Sequence, residues 1–82
     1  DGVRIHIVET TGRTDADYDA RIQQTNIYKS ELADENSKVF IVSAYDAFGG
    51  SSPTMLSDGI HPDADGFIYL AVACAQSIFN HM

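Results

Sequence analysis

The chain has 82 residues, 8.9 kDa in mass, with twelve acidic and five basic side chains, and so carries a net charge of −7 at pH 7. That is one small domain at most, and an acidic one without the Lys/Arg footprint of nucleic-acid binding or of an anionic membrane surface. Cys74 is the single cysteine, which excludes an internal disulfide framework and a cysteine-only zinc site.

Val3 to Glu9, VRIHIVE, alternates β-branched residues with Arg4 and His6 and predicts a strand. TTGRTD (10–15) is a turn. A helix is expected from near Asp15, with Thr14 and Asp17 spaced as a capping box and Asp15, Asp17 and Asp19 at the positive end of the dipole. Tyr18, Ile22, Thr25, Tyr28 and Leu32 recur at helical spacing and predict its buried face. Arg21, Gln24, Lys29 and Glu31 fall on the solvent face, and Asn36 and Ser37 mark the end.

KVFIVSA (38–44) carries an unbroken apolar run, Val39 to Val42, expected of a strand covered on both faces, as in a parallel sheet. Residues 45–57 form a long loop in which FGGSSP (48–53) reads as a flexible connection and a pocket rim. It lacks the lysine and helix context of a phosphate-binding loop. Tyr45 and Asp46 follow the strand and are unassigned neighbours of the site. After DGIHP (58–62), residues 63–82 are helical by pattern and apolar on nearly every side, which predicts burial on more than one face. No run reaches the ~20 apolar residues of a membrane span, and no basic-then-apolar signal segment opens the chain.

The expected order is β-α-β-α, one right-handed parallel βαβ unit with a further helix. Two parallel strands leave two open edges, and the last helix is too apolar for so small a sheet. Both features imply that more sheet belongs alongside. The chain also opens on Asp1 rather than Met, as expected of a processed product or a fragment.

The segment Asp58-Gly59-Ile60-His61-Pro62 is where the chemistry concentrates. A carboxylate lies three residues before a histidine, in a loop beyond a strand, where the catalytic groups of α/β folds gather. Pro62 keeps His61 out of helical geometry, and Gly59 allows the turn that brings Asp58 to the imidazole. Such a pair fixes the tautomer of the ring and stabilises its charged form, as the acid–base half of a Ser-His-Asp triad does.

DGIHPDADGFIYLA (58–71) resembles the C-terminal block of the GDSL, or SGNH, hydrolases. In that family an Asp-x-x-His motif, followed by Pro and a Gly-aromatic helix start, supplies the triad acid and base. Asp58 and His61 stand at those positions, with Pro62, Gly66 and Phe67 matching the flanks. The resemblance implies an α/β fold in which residues 1–82 are the C-terminal portion of one flavodoxin-like, parallel, three-layer α/β/α domain. It implies a serine ester hydrolase acting on small acyl or acetyl esters, including those of carbohydrates, and it is compatible with secretion. It implies no cofactor and no metal.

The family's Gly-Asp-Ser nucleophile block, its oxyanion glycine and its Gly-x-Asn-Asp block do not occur in the sequence, and none of Ser30, Ser37, Ser43, Ser51, Ser52, Ser57 or Ser77 has that context. Asn26, in QQTNIY on the first helix, does not match the oxyanion asparagine. The expected partner is therefore an N-terminal portion of the same hydrolase, as a separate chain or in a precursor, with residues 1–82 inactive alone. The competing reading is a non-catalytic βαβ module whose strand edges or last helix bind a protein partner. A metal site on Asp58, His61 and Asp63 is a third. The run His61, Asp63, Asp65, Gly66 fails the calcium-loop pattern, which favours helix capping for both aspartates. His6 and His81 are expected to be structural or solvent-facing, and Cys74 to serve in packing.

Overall fold

A computed structural model describes residues 3–82; Asp1 lies outside them. The order along the chain is β1 (Ile5–Val8), α1 (Ala16–Glu35), β2 (Val39–Val42) and α2 (Ala64–Asn80). β1 and β2 pair in parallel, Ile5 opposite Val39 through to Val8 opposite Val42. Hydrogen bonds from Ile5 N to Lys38 O, 2.8 Å, and from Glu9 N to Val42 O, 2.9 Å, extend the ladder at both ends. This is the expected small α/β unit of two parallel strands and two helices.

Side chains alternate across a strand, so His6 and Phe40 share one face of the sheet. α2 covers that face near its C-terminal end. His6 Nδ1 lies 2.8 Å from Ser77 Oγ, and the His81 ring stacks on Phe40 at 3.9 Å between centroids. His6 and His81 thus serve in packing. The core continues past β2. Ala44 and Phe48 are fully buried beside Val39 and Val42, and Phe48 meets Tyr69 of α2 edge-on at 5.6 Å. FGGSSP is therefore anchored at its first residue, while Gly49, Ser51 and Ser52 are exposed. Its first residue is the largest fully buried side chain among the described residues.

α1 corrects two expectations. Its N-cap is Asp15, whose carboxylate accepts from Asp17 N at 3.0 Å and Tyr18 N at 3.1 Å; Thr14 does not cap it. Its inward face is Asp19, Ile22, Asn26, Lys29 and Ala33, spaced three, four, three and four, while Tyr18, Thr25, Tyr28 and Leu32 are exposed. The polar residues turn inward because the chain leaving β1 offers them backbone partners. Asn26 accepts from Thr10 N and donates to Thr10 O, both at 2.9 Å, and Lys29 Nζ donates to Val8 O at 2.9 Å and to Thr10 Oγ1 at 3.0 Å. These bonds satisfy backbone groups just past the end of the strand, which otherwise cost free energy when removed from water.

α2 differs from expectation as well. Gly66 is its one buried residue; Phe67, Ile68, Val72, Ile78 and Phe79 are exposed, Phe79 at 72%. Two strands do not supply enough surface to cover a helix that is apolar all round. Cys74 is half-buried with a free thiol.

Candidate active site

The loop between β2 and α2 closes on itself before the helix. Leu56 and Pro62 form an antiparallel bridge, and Ser57 N donates to His61 O at 2.8 Å. Met55, just outside, has a left-handed φ of 60°. This costs a non-glycine residue about 1–2 kcal/mol. Its carbonyl is secured by Asp63 N at 2.8 Å. Asp63 is the N-cap of α2, accepting from Gly66 N at 2.8 Å. Gly66 lets the helix approach closely. A Cβ there would lie 2.5 Å from Met55 O and 3.0 Å from both the Phe48 ring and Pro62 Cβ.

The tip of this hairpin holds Asp58 and His61. Asp58 Oδ1 accepts from Ile60 N at 2.9 Å and from His61 N at 2.7 Å, and Oδ2 lies 2.7 Å from His61 Nδ1. Gly59 makes the turn at φ +82°, a conformation open to glycine at no steric cost. The structure thus brings together the two residues singled out in the sequence. The backbone N–H of His61, then its ring, then the N–H of Ile60 hold the Asp58 carboxyl well below the usual carboxylate range. An ionised carboxylate only accepts, so a neutral His61 carries its proton on Nδ1 and presents an unprotonated Nε2. The side chains are 74% and 52% exposed for His61 and Asp58, so the pair faces outward. Ser57 Oγ donates to the His61 carbonyl at 3.3 Å. Among the described residues no serine hydroxyl is bonded to the His61 ring.

Beside the hairpin, the loops that follow β1 and β2 are tied together by Glu9 and by Asp19, which is buried rather than part of a solvated acidic helix start with Asp15 and Asp17. Glu9 Oε1 accepts from Ala44 N at 2.9 Å and Tyr45 N at 3.1 Å. Asp19, buried, accepts from Tyr45 OH at 2.6 Å, Gln23 Nε2 at 2.8 Å and Arg13 N at 2.9 Å. The Tyr45 hydroxyl, followed by the Arg13 amide, lowers the Asp19 pKa; the same hydrogen bond, with burial, raises that of Tyr45. Tyr45 is thus a strut between loops rather than a group facing the dyad. The spacing Asp19-Ile22-Asn26-Lys29-Ala33 was available as a signal, but its polar members look like a solvated face until the strand-end partners are known. Across the two loops runs an open groove of about 710 Å³, to which Asp58, Gly59, Ile60 and Pro53 contribute from one side and α1 with the turn before it from the other. Pro53 is at the pocket rim, as expected of its loop.

Compared with family models, with curated proteins and with solved structures, the chain matches none.

Proposed function

We propose that this chain supplies the acid–base half of a serine ester hydrolase of the SGNH type, the C-terminal portion of a flavodoxin-like domain. The observation that carries the reading is the 2.7 Å contact of Asp58 Oδ2 with His61 Nδ1 on a hairpin whose backbone amides bind the same carboxylate. His61 Nε2 takes the proton from a serine in an N-terminal portion of the domain as that serine attacks the ester carbonyl. It then returns the proton to the leaving alcohol, and water resolves the acyl-enzyme by the same route. Asp58 orients the ring and stabilises the imidazolium. Substrates are small acyl esters, including acetylated carbohydrates.

The test is turnover of p-nitrophenyl acetate by the intact hydrolase domain containing residues 1–82. His61→Ala is expected to lower kcat on the order of 10³-fold or more with an unchanged circular dichroism spectrum. Turnover within a factor of about ten of the parent overturns the role.

A second reading, a non-catalytic module that binds a protein partner, is favoured by the exposed Phe67, Ile68, Val72 and Phe79 on α2. It predicts that Phe79→Asp abolishes association while His61→Ala changes nothing.

A further inference from the structure

The outer edge of β2 carries a pattern of backbone groups that the dyad does not use. Phe40 and Val42 turn their N–H and C=O groups to β1, the register being Ile5 opposite Val39 and Ile7 opposite Ile41. Backbone groups alternate in direction along a strand, so those of Val39, Ile41 and Ser43 point away from β1. Some of these are engaged within the chain. Val39 N donates to Asn36 O at 3.0 Å, and the Tyr69 hydroxyl donates to Ser43 O at 3.5 Å. Val39 O, Ile41 N, Ile41 O and Ser43 N have no hydrogen-bond partner among the described residues. Together they are a self-complementary set. A second strand of the same sequence, antiparallel and centred on Ile41, pairs Ile41 N with Ile41 O and Ser43 N with Val39 O in both directions. It calls on neither of the groups already engaged.

The flank of α2 beside this edge fits the same partner. α2 lies over both strands, and a groove of about 420 Å³ separates Tyr69, Val72, Gln76 and Asn80 from Ile41 and Ser43. No charged side chain occurs from Val39 to Tyr45 or from Gly66 to Asn80. With a net charge of −7 on each copy, like molecules repel, and this edge is where they meet without opposed charges. Copies joined here form one sheet of four strands, two from each, with both α2 helices on the same side. At a strand spacing of about 4.8 Å, helices each centred over their own two strands lie about 10 Å apart, a separation at which helices pack. Val72 and Gln76 of one copy then fill the groove against those of the other.

We infer that β2 and this flank of α2 are the contact through which two copies of the chain associate, as a two-fold antiparallel extension of the sheet. The inference stands apart from the hydrolase reading and leaves the outer edge of β1 for the further sheet that reading requires.

Sedimentation equilibrium of the full chain, from about 1 µM to about 1 mM, tests it. One strand pair and one helix flank make a small interface, so a dimer of twice 8.9 kDa is expected, with a Kd on the order of 10⁻⁴ M. In hydrogen-exchange NMR, the amides of Ile41 and Ser43 should gain protection as concentration rises. Those of Ala44 and Tyr45, bound to Glu9, should not change. Val72→Asp and Gln76→Glu, both at exposed positions, should each raise Kd about ten-fold or more by opposing like charges across the two-fold axis, with an unchanged circular dichroism spectrum. A chain that is monomeric throughout overturns the inference. So does a dimer in which Ile41 and Ser43 gain no protection, or one that neither substitution weakens. A dimer broken by Phe79→Asp but not by Val72→Asp places the contact on the outer row of α2 and also overturns it. Protection of Ile41 and Ser43 in a monomeric sample does the same, because the edge is then closed within one chain. No result here depends on turnover, so this inference and the hydrolase reading fail separately.

Discussion

Gly66→Ala tests whether the close seat of α2 against the dyad hairpin is as tight as the structure has it. The added Cβ would stand 2.5 Å from Met55 O and 3.0 Å from Phe48 Cε2 and Pro62 Cβ. None of the three yields easily. Met55 O is fixed by Asp63 N at 2.8 Å, Phe48 is fully buried, and Pro62 is bridged to Leu56. Overpacking of this kind costs about 1–3 kcal/mol. Alanine in place of glycine in a helix returns at most about 1 kcal/mol, which leaves a net loss of up to about 2 kcal/mol, toward its upper end because the 2.5 Å approach is to a backbone oxygen. With a urea m-value on the order of 1 kcal/mol/M for a chain this small, the unfolding midpoint of the full chain falls by up to about 2 M. Gly59→Ala is the control. A Cβ there meets nothing within 4 Å, and only the φ of +82° opposes it, at about 1 kcal/mol. It strains the Asp58–His61 turn without touching α2. A Gly66→Ala chain as stable as the parent, or more so, refutes the packing argument.

Two further outcomes follow from the hydrogen bonding. Asn26→Ala leaves both Thr10 N–H and Thr10 C=O without their partner, and should destabilise the chain by about 2–3 kcal/mol in urea unfolding; a loss below about 0.5 kcal/mol contradicts the buried bridge. In a carboxyl-carbon NMR titration, Asp58 should protonate below the ordinary aspartate value of about 3.9, because three N–H groups of the turn bind its charged form. Its contribution to stability is then complete above that value and is lost as pH falls through the lowered one. A midpoint at or above the ordinary value shows that the turn is open in solution.

The strands and α2 were legible because their signals are local. Alternation in VRIHIVE, the apolar run Val39 to Val42 and the Asp63 cap each act within a few residues. The dyad was legible for the same reason, since Asp58, Gly59 and His61 sit within one turn and their geometry depends on no distant element. The face of α1 was not. Periodicity counts apolar residues and assigned Tyr18, Tyr28 and Leu32 to the core, whereas the inward positions are set by Asp19 and Asn26, which bind the chain after β1 and Tyr45 after β2. Those contacts reach 16 and 26 residues along the chain for Asn26–Thr10 and Asp19–Tyr45, beyond any local pattern. Burial on several faces of α2 was expected from its composition, but the described residues supply only two strands to pack on. The exposed row from Phe67 to Phe79 therefore accords with the proposal that further sheet completes the domain.

A base that works through Nε2 must keep its proton on Nδ1, and long-range ¹H–¹⁵N correlation of the imidazoles reads this directly. At roughly pH 8, above the ordinary imidazole range, His61 of the full chain is predicted to be the Nδ1–H tautomer, and Asp58→Asn is predicted to abolish that preference. A His61 ring that is predominantly Nε2–H, or one unaffected by Asp58→Asn, would mean that the carboxylate does not orient it, and the proposed hydrolase would have no base in this chain.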